Sequence, residues 1–180
     1  ILGFTAGHRR DAQAWKRTRM LAGLVTLSTL LATLLMEYAL LTRDFSVSYV
    51  AQVGSHDVPD WIAAVSLWSS LEGSILFWSL VLGLYTGGFA LRCRAKLAEV
   101  QAPYALACLL VVNVFFHFLV AGIANPFSPI SPVPVDGPGP NPLLQNHVLM
   151  IIHPPSLYLG FVGMAVPFAM ACGSLLAGRL

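Results

Sequence analysis

Charge is what this sequence has least of. Of its 180 residues ten are Lys or Arg and eight are Asp or Glu, 10% in all, against about a quarter in an average soluble domain. So few charges cannot clothe a water-exposed exterior, and 57% hydrophobic residues exclude intrinsic disorder as well. The net charge of +2 comes from scattered Lys and Arg, so there is no concentrated basic face for nucleic acid. Cysteine is scarce: Cys93, Cys108 and Cys172 form no C-x-x-C pair and no Cys/His cluster at zinc-ligand spacing, which excludes a disulfide framework or a metal knuckle. Cys108 and Cys172 lie in apolar runs and read as small hydrophobes. The chain starts at Ile1 and its first stretch, Gly7 to Arg19, is polar and basic rather than a signal peptide, so it reads as an internal piece of a longer protein.

Long apolar runs are what remains. A hydrocarbon core about 30 Å thick needs about 20 apolar helical residues. Four stretches qualify: Met20 to Thr42, interrupted by Glu37; Trp68 to Leu91, with Glu72 near its start; Tyr104 to Ala124; and Pro154 to Ala177, the last two free of formal charge. Backbone groups facing lipid must be paired within a segment, which predicts an all-α polytopic membrane protein. No repeat or linker divides it, so residues 1–180 read as one membrane domain, with spans 20–42, 68–91, 104–124 and 154–177, two structured outer loops, 43–67 and 125–153, and the character of a fragment of a larger helical bundle.

Orientation follows from Lys and Arg. Arg9, Arg10, Lys16, Arg17 and Arg19 precede the first span, Arg92, Arg94 and Lys96 lie between the second and third, and Arg179 follows the fourth. These belong on the cytoplasmic side. The other connections hold only Arg43, among Asp44, Asp57 and Asp60, or Asp136 alone. In the first outer loop Phe45 to Val50 alternates like an extended segment, and Pro59 to Leu67, with Trp61, reads as a short interfacial helix. In the second, Asn125 to Asn146 carries seven prolines and is expected to run extended or turning, without regular helix, over the outer helix ends.

His153 is the most informative residue. It precedes Pro154-Pro155 where the loop enters the fourth span; proline suits a first helical turn and pushes its predecessor out of the α region. His153 is therefore expected just outside the helix, held stiffly at the outer boundary, where an imidazole can ligate a metal or a haem iron. The bland alternative is an interfacial histidine wetted by headgroups. His147 and His56, in the outer loops, can join such a site or simply be solvated. His117, about two turns from the outer end of the third span, is either functional or a neutral histidine bonded to a neighbouring helix. Glu37 and Glu72, at membrane depth, must be neutralised, paired or near water; Glu72 with Gly73 and Ser74 can carry protons, orient a ligand or bond another helix end. Trp61, Trp68, Trp78, Tyr49, Tyr85 and Tyr158 read as interfacial belt anchors. Gly160 and Gly163 are expected to bring backbones close, and Pro167 to kink the fourth helix.

Several segments in order, Asp44-Phe45-Ser46-Val47-Ser48-Tyr49-Val50-Ala51, Glu72-Gly73-Ser74 with Trp78, Asn125-Pro126-Phe127-Ser128, Asn141-Pro142-Leu143-Leu144-Gln145 and His153-Pro154-Pro155-Ser156-Leu157-Tyr158-Leu159-Gly160, together resemble the N-terminal part of the CcmF haem lyases of cytochrome c-type biogenesis, within the CcmF/CcsA haem-handling family. The resemblance implies a bacterial inner-membrane protein that receives haem b from the chaperone CcmE. It then joins the haem outside the membrane to the C-x-x-C-H cysteines of apocytochrome c, alongside partners such as CcmH and in contact with membrane lipid. It implies that His153 is an axial haem ligand, with Glu72, Pro154, Pro155 and Tyr158 as supporting residues, and that this piece holds haem rather than breaking bonds. An axial imidazole would fix the angle of the haem and tune its iron. The family's Trp-rich W-G-G-W-W-x-W-D segment is not in this chain, and Leu71 stands where many relatives place histidine. Two other readings stay open at this point: a transporter or ion-conducting subunit with Glu37, Glu72 and His117 as a proton relay, and a scaffold of cytochrome assembly that binds no haem.

Overall fold

The computed structural model describes residues 1–93 and 101–178; Arg94, Lys96 and Arg179, which entered the orientation rule, lie outside them. The elements are α1 (Leu2–Arg9), α2 (Ala12–Thr42), α3 (Ser48–Val53), α4 (Asp60–Val65) running into a 3-10 turn at Ser66–Trp68, α5 (Leu71–Arg92), α6 (Gln101–Ala121), α7 (Pro142–Asn146), α8 (Val148–Gly163) and α9 (Ala165–Leu176). Among the described residues the extended pairing is one isolated bridge, Val47 with Pro129. Four helical stretches are long and apolar enough to cross a membrane: Ala12–Thr42, Leu71–Arg92, Gln101–Ala121 and Ile151–Leu176. Their number is the expected four, and each overlaps one of the expected apolar runs. This is an all-α membrane protein.

The ends of α2 show how local chemistry sets the spans. The Asp11 carboxylate accepts the N–H groups of Gln13 and Ala14 at 2.8 and 3.2 Å, the bonding of an N-cap. At the other end Arg43 adopts φ 56°, while Arg43 N–H reaches Leu40 O and Asp44 N–H reaches Ala39 O at 3.3 and 3.0 Å. That is a Schellman stop, with Arg in the left-handed position usually given to Gly.

The chain divides into two units. The first comprises Ile1–Leu30, Ser79–Phe115 and Gly160–Leu180. Its core gathers Ala6, Trp15, Ala22, Ala90, Cys93 and Leu106. Within it α2 and α5 approach closely: Thr26 Oγ1 donates to Gly83 O at 2.7 Å, and a Cβ on Gly83 would lie 2.5 Å from Thr29 Oγ1. Small residues permit such contact where lipid supplies no hydrophobic drive. Buried Asn113 of α6 donates to Thr86 Oγ1 of α5 at 2.8 Å. Gly163 faces the Tyr85 ring, 3.2 Å from its hydroxyl oxygen for an added Cβ, but Gly160 has open space, so only one of the two expected close approaches forms. The expected kink is present: regular helix stops between α8 and α9 at Met164, because Pro167 has no N–H and its ring crowds the carbonyl four residues back.

The second unit comprises Leu31–Trp78 and Phe116–Leu159, around a core of Met36, Leu40, Phe45, Tyr49, Val50, Val53, Leu67 and Leu76. The segment Phe45–Val50, expected to be extended, turns helical at Ser48; its alternation is used only at Val47. Pro59–Leu67 is the expected short helix, with Trp61 55% exposed. The two outer connections are bonded to each other. Ser48 N–H donates to Ser128 O (2.8 Å), Ile130 N–H to Ser46 O (3.0 Å) and Gly139 N–H to Gly54 O (3.0 Å). The Pro-rich connection is irregular as expected until α7, where Pro142 at the first helical position and the Asn141 side chain, accepting Leu143 N–H at 2.9 Å, start one short turn.

Candidate functional site

His153 lies inside α8, not ahead of it. The helix begins at Val148, so the expectation that Pro154 opens the span is corrected. His147 supplies the reason: its Nδ1 accepts the N–H of Leu149 at 3.2 Å, doing the work of an N-cap about two turns earlier than the prolines. Pro154 and Pro155 consequently sit in the helix interior, where they offer no N–H to the carbonyls of Met150 and Ile151. The preference of a pre-proline residue for extended backbone is overridden here by capping and an apolar run.

The His153 side chain is exposed, and its imidazole engages no hydrogen-bonding group among the described residues. It stands on a helix face with Leu149, Ser156 and Leu157, all exposed, at the spacing of neighbours one turn apart, and exposed Ile152 directly precedes it. Ser156 spends its hydroxyl on Ile152 O at 2.8 Å. Of the four spans this one is least covered, 17% buried against 28 to 39% for the others, so the imidazole faces an open apolar surface.

Beneath that face α8 is anchored through Tyr158. Its hydroxyl donates to Ser74 Oγ at 3.3 Å, and Ser74 Oγ donates to Trp68 O at 3.2 Å. Its ring lies 5.3 Å from Trp78, edge-on, and 5.8 Å from Phe77, while Trp68 packs on Phe77 and Trp78 on Phe116. Trp68, Trp78 and Tyr158, each half-buried, thus belong to one stack of rings.

The Glu72-Gly73-Ser74 segment has three distinct jobs. Ser74 receives Tyr158. Gly73 meets the Leu67 carbonyl and the Tyr49 hydroxyl so closely that a Cβ would overlap both. Glu72 is half-buried, with Oε2 enclosed and without a donor among the described residues. Tyr49, read from the sequence as a belt residue, is 1% exposed and donates to Ser66 O and Leu67 O at 2.8 and 2.9 Å. Burial first, with smaller contributions from the Glu72 and Glu37 charges and opposed by contacts with Ser69 and Ser70, pushes its hydroxyl above the usual phenol range. The glycine two residues after Leu71 is the signal in the sequence that could have pointed to it.

The remaining candidates separate. His56 is exposed; its ring stacks edge-on against Phe45 at 5.1 Å and its backbone N–H donates to Asp136 Oδ1 at 2.9 Å. Asp136 also accepts Gly137 N–H at 2.8 Å, and these backbone donors hold its carboxyl below the ordinary aspartate range. Arg43 clamps the first outer connection through Ser55 O (3.3 Å), Val58 O (3.0 Å) and Asp60 (2.8 Å). His117 and Glu37 are half-buried in their helices. Among the described residues no three His, Cys, Asp or Glu come together as a metal site; an axial histidine on a haem requires no such cluster.

A family model described as "Cytochrome C assembly protein" matches residues 68–179. The chain belongs to that family. It is 40% identical over 146 residues, 81% of its length, to the cytochrome c-type biogenesis protein CcmF of Pseudomonas fluorescens. To CcmF of Escherichia coli it is 38% identical over 173 residues, 96% of its length. A solved structure of the cytochrome c haem lyase CcmF superposes with a TM-score of 0.82 at 38% identity, over 99% of this chain and 27% of that one. The chain spans about a quarter of the length of these relatives. Membership of the cytochrome c assembly family and four apolar helices agree with the resemblance in the sequence motifs. They place the chain with membrane proteins of cytochrome c biogenesis.

Proposed function

We propose that this chain is the haem-holding part of a cytochrome c haem lyase, with residues 1–180 acting as one membrane domain and His153 as an axial ligand of haem b. The observation that carries this reading is the His153 imidazole, exposed and unengaged on an uncovered apolar helix face. That surface fits a porphyrin, which needs one free nitrogen for its iron and apolar side chains for its ring. Leu149, Ile152 and Leu157 would flank the macrocycle. Tyr158, bonded to Ser74 and stacked on Trp78, holds α8 in place, while Pro154 and Pro155 shape the turn that carries the imidazole. Glu72, in the first turn of α5 two residues before Ser74, is the remaining supporting residue of this reading. When bound, haem supplies the vinyl carbons to which the C-x-x-C-H thiols of apocytochrome c add.

The basic residues before the first span and at Arg92 put those ends in the cytoplasm, so the His153 end of α8 faces the periplasm of a bacterial inner membrane. There the full-length protein would meet CcmE as haem donor, apocytochrome c as substrate and CcmH as partner. The test is an absorption spectrum of the detergent-purified full-length protein, oxidised and reduced, for wild type and His153→Ala. A b-type spectrum lost or shifted in the variant supports the assignment. Unchanged haem content with normal membrane insertion refutes it.

A further inference from the structure

At the start of α2 lies a groove of about 450 Å³ lined by Ala12, Trp15, Lys16, Arg19 and Met20. Arg19 is half-buried and pre-positioned: its Nε–H donates to Ala90 O at 3.0 Å and its guanidinium lies 6.0 Å from the Trp15 ring. One of its five donors is thereby used, leaving a planar fork suited to an oxyanion. Lys16 is exposed beside it. Neither cation has a carboxylate partner, since the ion pair found among the described residues is Arg43 with Asp60. Asp11, the acid nearest in sequence, is occupied by the N–H groups of Gln13 and Ala14. Trp15, only 4% exposed, carries an indole N–H without an acceptor among the described residues.

An uncovered apolar stripe leads away from these cations along the same helix face. Met20, Leu24 and Leu27 are 58, 59 and 50% exposed. The track from Met20 to Leu27 is about 10 Å at 1.5 Å per residue, the larger part of one leaflet of a 30 Å hydrocarbon core. A cationic fork at the head of such an apolar track matches a phosphate joined to an acyl chain.

We propose that Lys16 and Arg19 form a binding site for the phosphate of an anionic phospholipid, whose acyl chain lies along Met20, Leu24 and Leu27. Each cation contributes about fivefold to affinity, the increment of one basic residue at an anionic membrane surface.

The experiment is native mass spectrometry of the detergent-purified full-length protein titrated with phosphatidylglycerol or phosphatidylcholine, for wild type, Lys16→Gln, Arg19→Gln and the double variant. Phosphatidylglycerol is expected to bind the wild type in preference to phosphatidylcholine and to weaken about fivefold with each substitution. Exposed Lys16 can be replaced without disturbing the core, so Lys16→Gln carries the test even if Arg19→Gln fails to fold. Equal binding of both lipids, or affinity unchanged in Lys16→Gln, overturns the proposal. Displacement of the lipid by millimolar inorganic phosphate also overturns it, assigning the groove to a free anion.

Discussion

The Tyr158 hydroxyl donates to Ser74 Oγ across 3.3 Å, joining the helix that carries His153 to the Glu-Gly-Ser start of α5. Tyr158→Phe keeps the ring contacts with Trp78 and Phe77 and deletes only this bond, so the expected loss is about 1 kcal/mol. Tyr158→Ala also removes the stack, for about 3 kcal/mol. Thermal unfolding in detergent checks both. If the anchor also positions His153, the haem spectrum shifts in the Ala variant and much less in the Phe variant.

Gly73→Ala is expected to be more damaging than its size suggests. The new methyl overlaps the Leu67 carbonyl and the Tyr49 hydroxyl, and Tyr49 cannot retreat because it is buried with both acceptors fixed. A loss above about 2 kcal/mol follows from overpacking of this kind. It should be read as reduced yield of folded protein, while Gly160→Ala, in open space, leaves yield unchanged.

His147→Ala separates a cap from a ligand. Losing the Nδ1 acceptor for Leu149 N–H is expected to lower stability by about 1 kcal/mol. Haem content of the full-length protein should stay at the wild-type level, in contrast to His153→Ala.

Asp136 ties the two outer connections through the His56 and Gly137 N–H groups. Because its folded carboxyl titrates below the ordinary value of 3.8, its contribution is complete above that value and is lost as pH falls through the lower folded one. Limited proteolysis of 125–146 is expected to be slow at neutral pH and faster under strong acid. Asp136→Asn should be cleaved faster already at neutral pH, with a smaller dependence on acid.

In the first unit, Thr26→Val removes the bond to the Gly83 carbonyl. A loss of about 0.6 kcal/mol is typical for such a bond between membrane helices. Gly83→Leu should cost several times more, because the side chain would enter Thr29.

The four spans were legible because each is an apolar run closed by charges or a connection, and the Pro-rich connection because proline forbids regular helix. The start of α8 was not. Two prolines after His153 carry a strong local signal for a helix start, but a histidine acting as a cap has no distinctive spacing, and the helix began at Val148 instead. The aromatic residues were misread for a related reason: composition places Trp and Tyr at interfaces, whereas burial of Tyr49 and stacking of Trp68, Trp78 and Tyr158 depend on contacts between segments distant in sequence. Around His153, the exposed residues that share its face of α8 became visible only once the helix start was placed at Val148.

Pro154 and Pro155 leave two rungs missing from the helical ladder at the turn that bears His153. A ladder already open at that point costs less to bend, because no further rung has to break. Tyr158 clamps the helix just beyond it. The imidazole thus stands at the turn where the ladder is open, with the Tyr158 anchor about one turn further along α8.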